Sequence, residues 1–401
     1  MNRRALLKGG AATLSGMLLA NSSFARRKRS KLKHFVFVKL GGGPSQMELW
    51  DPKPGTKNGG ETKGIKTKIA GVQFADSMPG MAEYSNNMAV IRTFSRIGEH
   101  MLGTYYVGSG GFGPSPVLKH PGMVSVVGWR LANENNDLPP VVSLGGSMSA
   151  GFLGNSYDPY VAGNSEITLE IASQYKQSVE QADQMRKEYY KVSPLGQADD
   201  FHEEIKHESR SSRLSLGISN KVFDLSTEST ATQEAYGGRG FGNSCLTARR
   251  LIMAGVPAVH LSLGGWDNHN GIFDGIGDRV GRLDKGISQL VKELKALGLF
   301  DKTMIMIAGE FGRTPNINNN QGRDHYPRNT PVALISGAIK KGIAIGNSGP
   351  DGTGMENMVT LGAVSHSVYK MMGISPTGQF TDKSGRPLRY CPSDAGLQGL
   401  V

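Results

Sequence analysis

Three short polar segments carry the side chains that can do chemistry in this chain. They read GGWDNH at 264–269, GEFGRTP at 309–315 and GRDHYP at 322–327. The first two directly follow apolar runs, and the third precedes one. Together the segments supply carboxylates, imidazoles and guanidinium groups, and the candidate site residues are Asp267, His269, Glu310, Arg313, Arg323, Asp324 and His325.

These residue types fit a metal-assisted site for an anionic ester. Carboxylates and imidazoles bind divalent cations such as Zn, Mn, Ca or Mg, and a bound cation polarises a phosphate- or sulfate-like oxygen. Arg313 and Arg323 can clamp the remaining oxygens. Among the predicted ligands, His325 is the one that the sequence favours most. Asp324 either orients an imidazole or binds the metal directly. The predicted metal ligands are Asp267, His269, Glu310, Asp324 and His325.

Each of these groups also has a purely structural interpretation. Asp267 and His269 can shape a glycine-flanked surface loop. A carboxylate at the end of a buried strand needs a counter-charge, so Glu310 and Arg313 can form a structural ion pair. His260 lies inside an apolar run, and we interpret it as a core histidine.

The apolar runs predict the elements that position these segments. Residues 34–40, 256–263, 303–308 and 331–335 read as strands, and 278–297 reads as an amphipathic helix. Strands and helices alternate, which predicts a doubly wound, mostly parallel α/β sheet sandwiched by helices. Ligands of such sheets bind at the carboxyl ends of the strands, so we expect the polar segments to converge there.

Two further segments are expected at the same edge. Gly41-Gly42-Gly43 follows the first strand, either as a tight turn or as a loop that offers backbone N–H groups to an anion. GEHMLGT at 98–104 opens a predicted helix. There His100 is a candidate ligand or base, or a histidine that packs at a helix end.

The first 33 residues differ from the rest in charge. They hold nine Lys and Arg and no acid, so the net charge of +11 falls to +2 for the remaining chain. Such a body lacks the clustered basic charge of nucleic-acid-binding domains, and no nucleic-acid partner is expected. No segment is apolar and long enough for a stable membrane span.

The N-terminus predicts export. Arg3 and Arg4 precede a mildly apolar segment that ends in Ser23-Phe24-Ala25, the layout of a twin-arginine signal peptide over 1–25. A basic linker follows at 26–33. The predicted location is the periplasm or beyond, with the twin-arginine export machinery as a partner. The alternative is a basic N-terminal tail.

A chain of 401 residues can bury a large core. We predict one α/β domain over 34–401, with the charged segment 165–225 as a helical insertion or cap. Cys245 and Cys391 are the only cysteines, which excludes a disulfide framework and leaves open whether these two pair.

The three polar segments together resemble an uncharacterised family of exported bacterial proteins, often described as sulfatase-like, within the alkaline-phosphatase superfamily. The resemblance also covers DPKPG at 51–55, CLTARRLIMAGVP at 245–257 and the final predicted helix. It implies a mostly parallel sheet between helices, with one or two metals at the strand ends. On this resemblance Asp267, His269 and His325 are similar to the ligands of one metal.

The sequence departs from that superfamily at three places. Phe311 stands where relatives carry a second ligand, the first strand ends in Lys39-Leu40-Gly41 rather than in a metal-binding Asp, and GEHMLGT lacks a Cys-x-Pro-Ser-Arg signature. The nearest candidates for the nucleophile that the resemblance implies are His100, Thr104 and Glu99. We therefore expect one metal site rather than two. The two functions considered are an exported metal-dependent hydrolase of phosphate or sulfate esters, acting on an anionic ester or glycan, and a catalytically degenerate binding or scaffold protein of the cell envelope.

Overall fold

The computed structural model describes residues 32–94, 97–133, 136, 138–146, 148–162, 184, 188, 220–382 and 384–400. The predicted signal peptide, most of the basic linker and most of the predicted helical insertion lie outside the described residues. The predicted domain bounds therefore stay a prediction. Among the described residues, no helix is both long and apolar enough to cross a membrane.

The described residues form fourteen strands and seven α-helices. Strands β1 to β14 are, in chain order, His34–Leu40, Gly64–Lys66, Gln73–Ala75, Met88–Ile91, Val141–Leu144, Tyr160–Val161, Ala258–Leu263, Thr303–Gly309, Gly312–Arg313, His325–Tyr326, Val332–Ile335, Ile343–Ile345, Gln379–Thr381 and Pro387–Arg389. Helices α1 to α7 are Pro79–Glu83, His100–Gly108, Met123–Leu131, Thr230–Tyr236, Phe241–Met253, Ile276–Ala296 and Leu361–Met371.

Eight strands form the central sheet, in the order β12-β4-β11-β8-β1-β7-β5-β6. Every strand runs parallel to its neighbours except β11, which is antiparallel to both β4 and β8. The predicted mostly parallel α/β sheet is confirmed.

Helices cover both faces of the sheet, because its central strands are apolar on both sides. In β1, Val36 and Val38 pack into the core beneath α5 and α6, while Phe35 and Phe37 pack into the core beneath α3 and α7. Each such side chain contributes roughly 1.5–3 kcal/mol when fully buried. The sheet is therefore a rigid platform for the loops at its edge.

Individual elements and the two cysteines differ in how far the sequence predicts them. β1 has the predicted bounds, and α5 begins at Phe241 with Gly240 in the capping position. The strand β6 lies at the end of the sheet, beside β5. Its two residues are too few to show an alternating pattern. Cys245 and Cys391 are both buried, and each is a free thiol.

Candidate metal centre

Five chain segments meet at one edge of the sheet. Leu40, the last residue of β1, pairs with Leu263 of β7 and with Gly309 of β8, so the three strands end at one level. Because β11 is antiparallel, its first residue, Val332, lies beside Ala308, and the segment before it returns to this edge. The strand β4 also ends here and leads into α2.

Asp267 lies at the centre of this cluster. Its Oδ1 is 2.5 Å from Arg313 Nη2, 3.1 Å from His269 Nε2 and 3.4 Å from His325 Nε2. Its Oδ2 is 3.7 Å from His100 Nε2. Three imidazoles thus turn the same ring nitrogen towards one carboxylate.

The other ring nitrogen of each imidazole is held by an oxygen acceptor. Nδ1 of His100 lies 2.5 Å from Glu310 Oε1, Nδ1 of His269 lies 2.8 Å from Asp324 Oδ1, and Nδ1 of His325 lies 3.0 Å from the Gly98 carbonyl. Carbonyl and ionised carboxylate oxygens only accept hydrogen bonds, so each Nδ1 carries the proton. In the neutral imidazole, Nε2 then presents its lone pair to Asp267.

This donor set fits a divalent cation. The ligand atoms of His100, Asp267 and His325 lie within 4.8 Å of one another, and His269 Nε2 adjoins the same carboxylate. A divalent cation between neutral imidazoles and Asp267 would offset the repulsion between their Nε2 lone pairs and the carboxylate, whereas protonated imidazoles would donate from Nε2 to Asp267, beside the charge of Arg313. Imidazole-rich sets favour Zn over Mg, Ca and Mn, for which oxygen ligands are preferred.

Both carboxylate oxygens of Glu310 already accept hydrogen bonds. Oε1 accepts from His100 and from the Gly42 backbone N–H at 3.0 Å, and Oε2 accepts from Thr104 Oγ1 at 2.6 Å. The glycine loop therefore offers its N–H to the chain's own carboxylate. A Cβ at Gly42 would lie 2.7 Å from the Asp267 nitrogen, so this approach requires glycine. The geometry favours an orienting role for Glu310 over the predicted direct ligation.

Arg313 is fully buried, and each of its five N–H groups has an acceptor in the protein. The acceptors are the carbonyls of Gly42, Gly43 and Arg323, Nε2 of His269 and Oδ1 of Asp267. Burial by itself raises the pKa of Asp267, but the hydrogen bond and charge of Arg313 outweigh it and hold that pKa below its usual value. The geometry favours a role in holding Asp267 over the predicted substrate clamp.

Arg323 is also fully buried. Its N–H groups reach Oε1 of Glu48, at 2.8 and 3.1 Å, and the carbonyls of Asn58, Thr314 and Pro315. This guanidinium therefore joins the loop before β10 to the segment after β1, and the predicted clamp has no N–H left for a substrate.

Asp324 orients His269 in this structure, rather than His325. Its Oδ1 also accepts from Asn318 Nδ2 at 3.1 Å, and the hydrogen bond from His269 is the main cause that lowers the pKa of Asp324.

We expect Asp324→Asn to weaken metal binding about 10- to 100-fold, the usual effect of losing a carboxylate that orients a ligating imidazole. The side chain of Asp324 is 53% exposed, so folding should be unchanged. Competition with a chromogenic chelator measures the affinity. Complete loss of the metal would instead indicate direct ligation by Asp324.

Gly103 lets α2 approach β8. His100, Gly103 and Thr104 share one helix face, at spacings of three and four residues. A Cβ on Gly103 would lie 2.7 Å from the backbone oxygen of Glu310, which cannot move aside easily. The missing side chain therefore brings His100 and Thr104 to the two oxygens of Glu310.

We expect Gly103→Ala to displace α2 and to weaken metal binding by at least about tenfold, since His100 loses the group that orients it. Gly113→Ala is the matched control, because no atom lies within 4 Å of its added Cβ. Equal metal affinity in the two variants would contradict this role of Gly103.

Sequence reasoning missed three contributors to the centre. The Gly98 carbonyl holds His325, Glu48 balances Arg323, and Gly103 admits α2. A glycine between His100 and Thr104 on a helix face was the one signal that the sequence offered, since glycine in a helix is unfavourable without a packing reason.

Comparison with known proteins places the chain as follows. A family profile described as "Protein of unknown function (DUF1501)" matches residues 32–400. No curated protein sequence matches.

Similar solved structures include a lipoteichoic acid synthase, a sulfatase and an alkaline phosphatase, each at low sequence identity. The lipoteichoic acid synthase LtaP from Listeria monocytogenes is 10% identical, with 90% of this chain and 75% of that chain covered and a TM-score of 0.41. The PsFucS1 sulfatase from Pseudoalteromonas sp. is 11% identical, with coverage of 99% and 75% and a TM-score of 0.42. A TAB5 alkaline phosphatase mutant with Mg bound in its M3 site is 12% identical, with coverage of 87% and 100% and a TM-score of 0.38. These similarities are too distant to transfer a function.

Proposed function

The chain belongs to the DUF1501 family, and we propose that this member is an exported metal-dependent hydrolase of phosphate or sulfate esters. One observation carries the proposal: three imidazole Nε2 atoms face one carboxylate while every Nδ1 is anchored. Export rests on the twin-arginine pattern at Arg3 and Arg4.

We assign His100, Asp267 and His325 as the residues that would hold the metal, with His269 as a fourth ligand whose Nε2 would exchange its hydrogen bond from Arg313 Nη1 for the metal. A bound divalent cation would supply Lewis-acid polarisation of a phosphoryl or sulfuryl oxygen. Arg313 fixes Asp267 from behind, so the chain itself maintains the carboxylate's position and charge.

Thr104 is the hydroxyl best placed to attack the ester. Its Oγ1 donates to Glu310 Oε2 at 2.6 Å, so the carboxylate can take this proton as the bond from Oγ1 to phosphorus or sulfur forms. The bond to the alcohol oxygen breaks, and the same proton passes to that oxygen. Water then cleaves the Thr104 ester, which releases phosphate or sulfate and restores the hydroxyl. His100 lies one turn away on α2 and links Glu310 to the centre.

We expect the metal-loaded protein to hydrolyse a generic aryl phosphate or aryl sulfate, and removal of the metal by a chelator to lower the rate at least about 100-fold, because Lewis-acid polarisation contributes several kcal/mol. Initial rates before and after re-addition of Zn or Mn measure this. Thr104→Val, which keeps the shape but removes the hydroxyl, should retain the metal and lose turnover. If folded, metal-replete protein hydrolyses neither ester class, the hydrolase proposal fails.

The alternative function is a metal-binding scaffold of the cell envelope. It is favoured by the two buried arginines, which leave no guanidinium N–H of Arg313 or Arg323 for substrate oxygens. Stoichiometric metal without ester turnover would support this alternative.

A further inference from the structure

A cleft of about 510 Å³ opens directly beside the candidate centre. His100 and Thr104 line this cleft together with Met101, Tyr105, Lys119 and Met148. Since His100 and Thr104 are also residues of the centre, a group attached to an ester bound there would extend into this cleft.

Most of the cleft's surface is apolar, although His100, Thr104, His120 and Ser149 also line it. No carboxylate lines it, and the two methionines and Tyr105 provide flexible and flat apolar surface. Burial lowers the pKa of His120, another lining residue, which disfavours the charged form of this imidazole. Lys119 is exposed and is the one positive charge on the wall. A single lysine does not match a polyanionic group.

Exposed apolar side chains also occur in the two chain segments that line the cleft. Met101 is 80% exposed and Leu102 is 42% exposed on α2, and Val117, two residues before Lys119, is 89% exposed. These are three of the seven large apolar side chains that are exposed among the described residues. An apolar surface of this kind, next to a cleft, is typical of a binding site for an apolar group.

We propose that the cleft binds the alkyl chain of an amphiphilic ester, with the anionic head at the metal centre and Lys119 at the rim. The proposal rests on the proposed function for the head group, and it names the substrate class as phosphate or sulfate monoesters of long-chain alcohols. Met101 and Met148 contact the chain.

Alkylphosphonates test this without depending on turnover, because their C–P bond is not hydrolysed. Calorimetric titration of the metal-loaded full chain compares ethylphosphonate with n-hexylphosphonate. Each fully buried methylene strengthens binding up to about fourfold, so four methylenes in an open cleft should give at least about a tenfold tighter Kd for the hexyl ligand. Met101→Ser should reduce this ratio to about threefold or less, and Met101→Leu should restore it.

Met253→Ser is the matched control. Met253 is a 54% exposed methionine at the end of α5, which leads to the start of β7 at the opposite edge of the sheet. Equal Kd values for the two phosphonates, or a chain-length ratio that Met101→Ser leaves unchanged, would overturn the proposal. Chain-length-dependent binding without turnover of any ester would support the cleft while refuting the hydrolase.

Discussion

His325→Ala is expected to weaken metal binding more than about 100-fold and to abolish any metal-dependent turnover. Loss of an orienting partner already costs 10- to 100-fold, and this change removes a ligand itself. The imidazole of His325 packs against the rings of His100, His269 and Phe311, with centroids 4.6, 4.9 and 4.4 Å away. Its removal therefore also loosens the neighbouring ligands. Elemental analysis and chelator competition measure the loss.

His366→Ala is the control for this prediction. The Nδ1 of His366 lies 3.1 Å from a backbone carbonyl, as does that of His325 at 3.0 Å, but His366 lies on α7 and takes no part in the cluster. Metal content should be unchanged in this variant. If His325→Ala retains one tightly bound metal per chain, then Asp267 and its imidazoles are not the metal site.

The sheet and its functional edge could be predicted because they follow from local patterns. The run of residues 34–40 is apolar on both faces, which only a strand covered on both sides can satisfy, and it occupies the centre of the sheet. Polar segments that follow strands must gather at the carboxyl edge of a parallel sheet. His325 lies before the apolar strand β11. It reaches this edge only because β11 is antiparallel, and the apolar pattern does not encode that direction.

The separate roles of the charged residues could not be predicted from local patterns. Arginines near a carboxylate fit a substrate clamp and a buried ion pair equally well by residue type. The difference lies in packing: Arg323 meets Glu48, 275 positions away in the chain, and both side chains are buried. Likewise, the oxygen that orients His325 is a backbone carbonyl, which every residue carries.

Glu48→Ala is expected to destabilise the fold by about 3–5 kcal/mol, the cost of leaving a buried charge without its partner. The guanidinium of Arg323 has no exposure, and the Glu48 side chain is 2% exposed, so water cannot replace the lost carboxylate. Arg323→Lys should also destabilise, since an ammonium group cannot reproduce a guanidinium's five directed hydrogen bonds. Urea unfolding followed by circular dichroism measures both changes.

The exposed pair of Arg282 and Asp278 on α6 provides the control, because its side chains are 62% and 68% exposed and its N–O distance is 2.5 Å. Arg282→Ala should change the free energy of unfolding by no more than about 1 kcal/mol. If Arg323 instead binds substrate, Arg323→Lys would retain stability and lose turnover. A stability loss in Glu48→Ala and Arg323→Lys would mean that Arg323 holds the fold together rather than a substrate. The proposed hydrolase would then bind its anionic ester without Arg323.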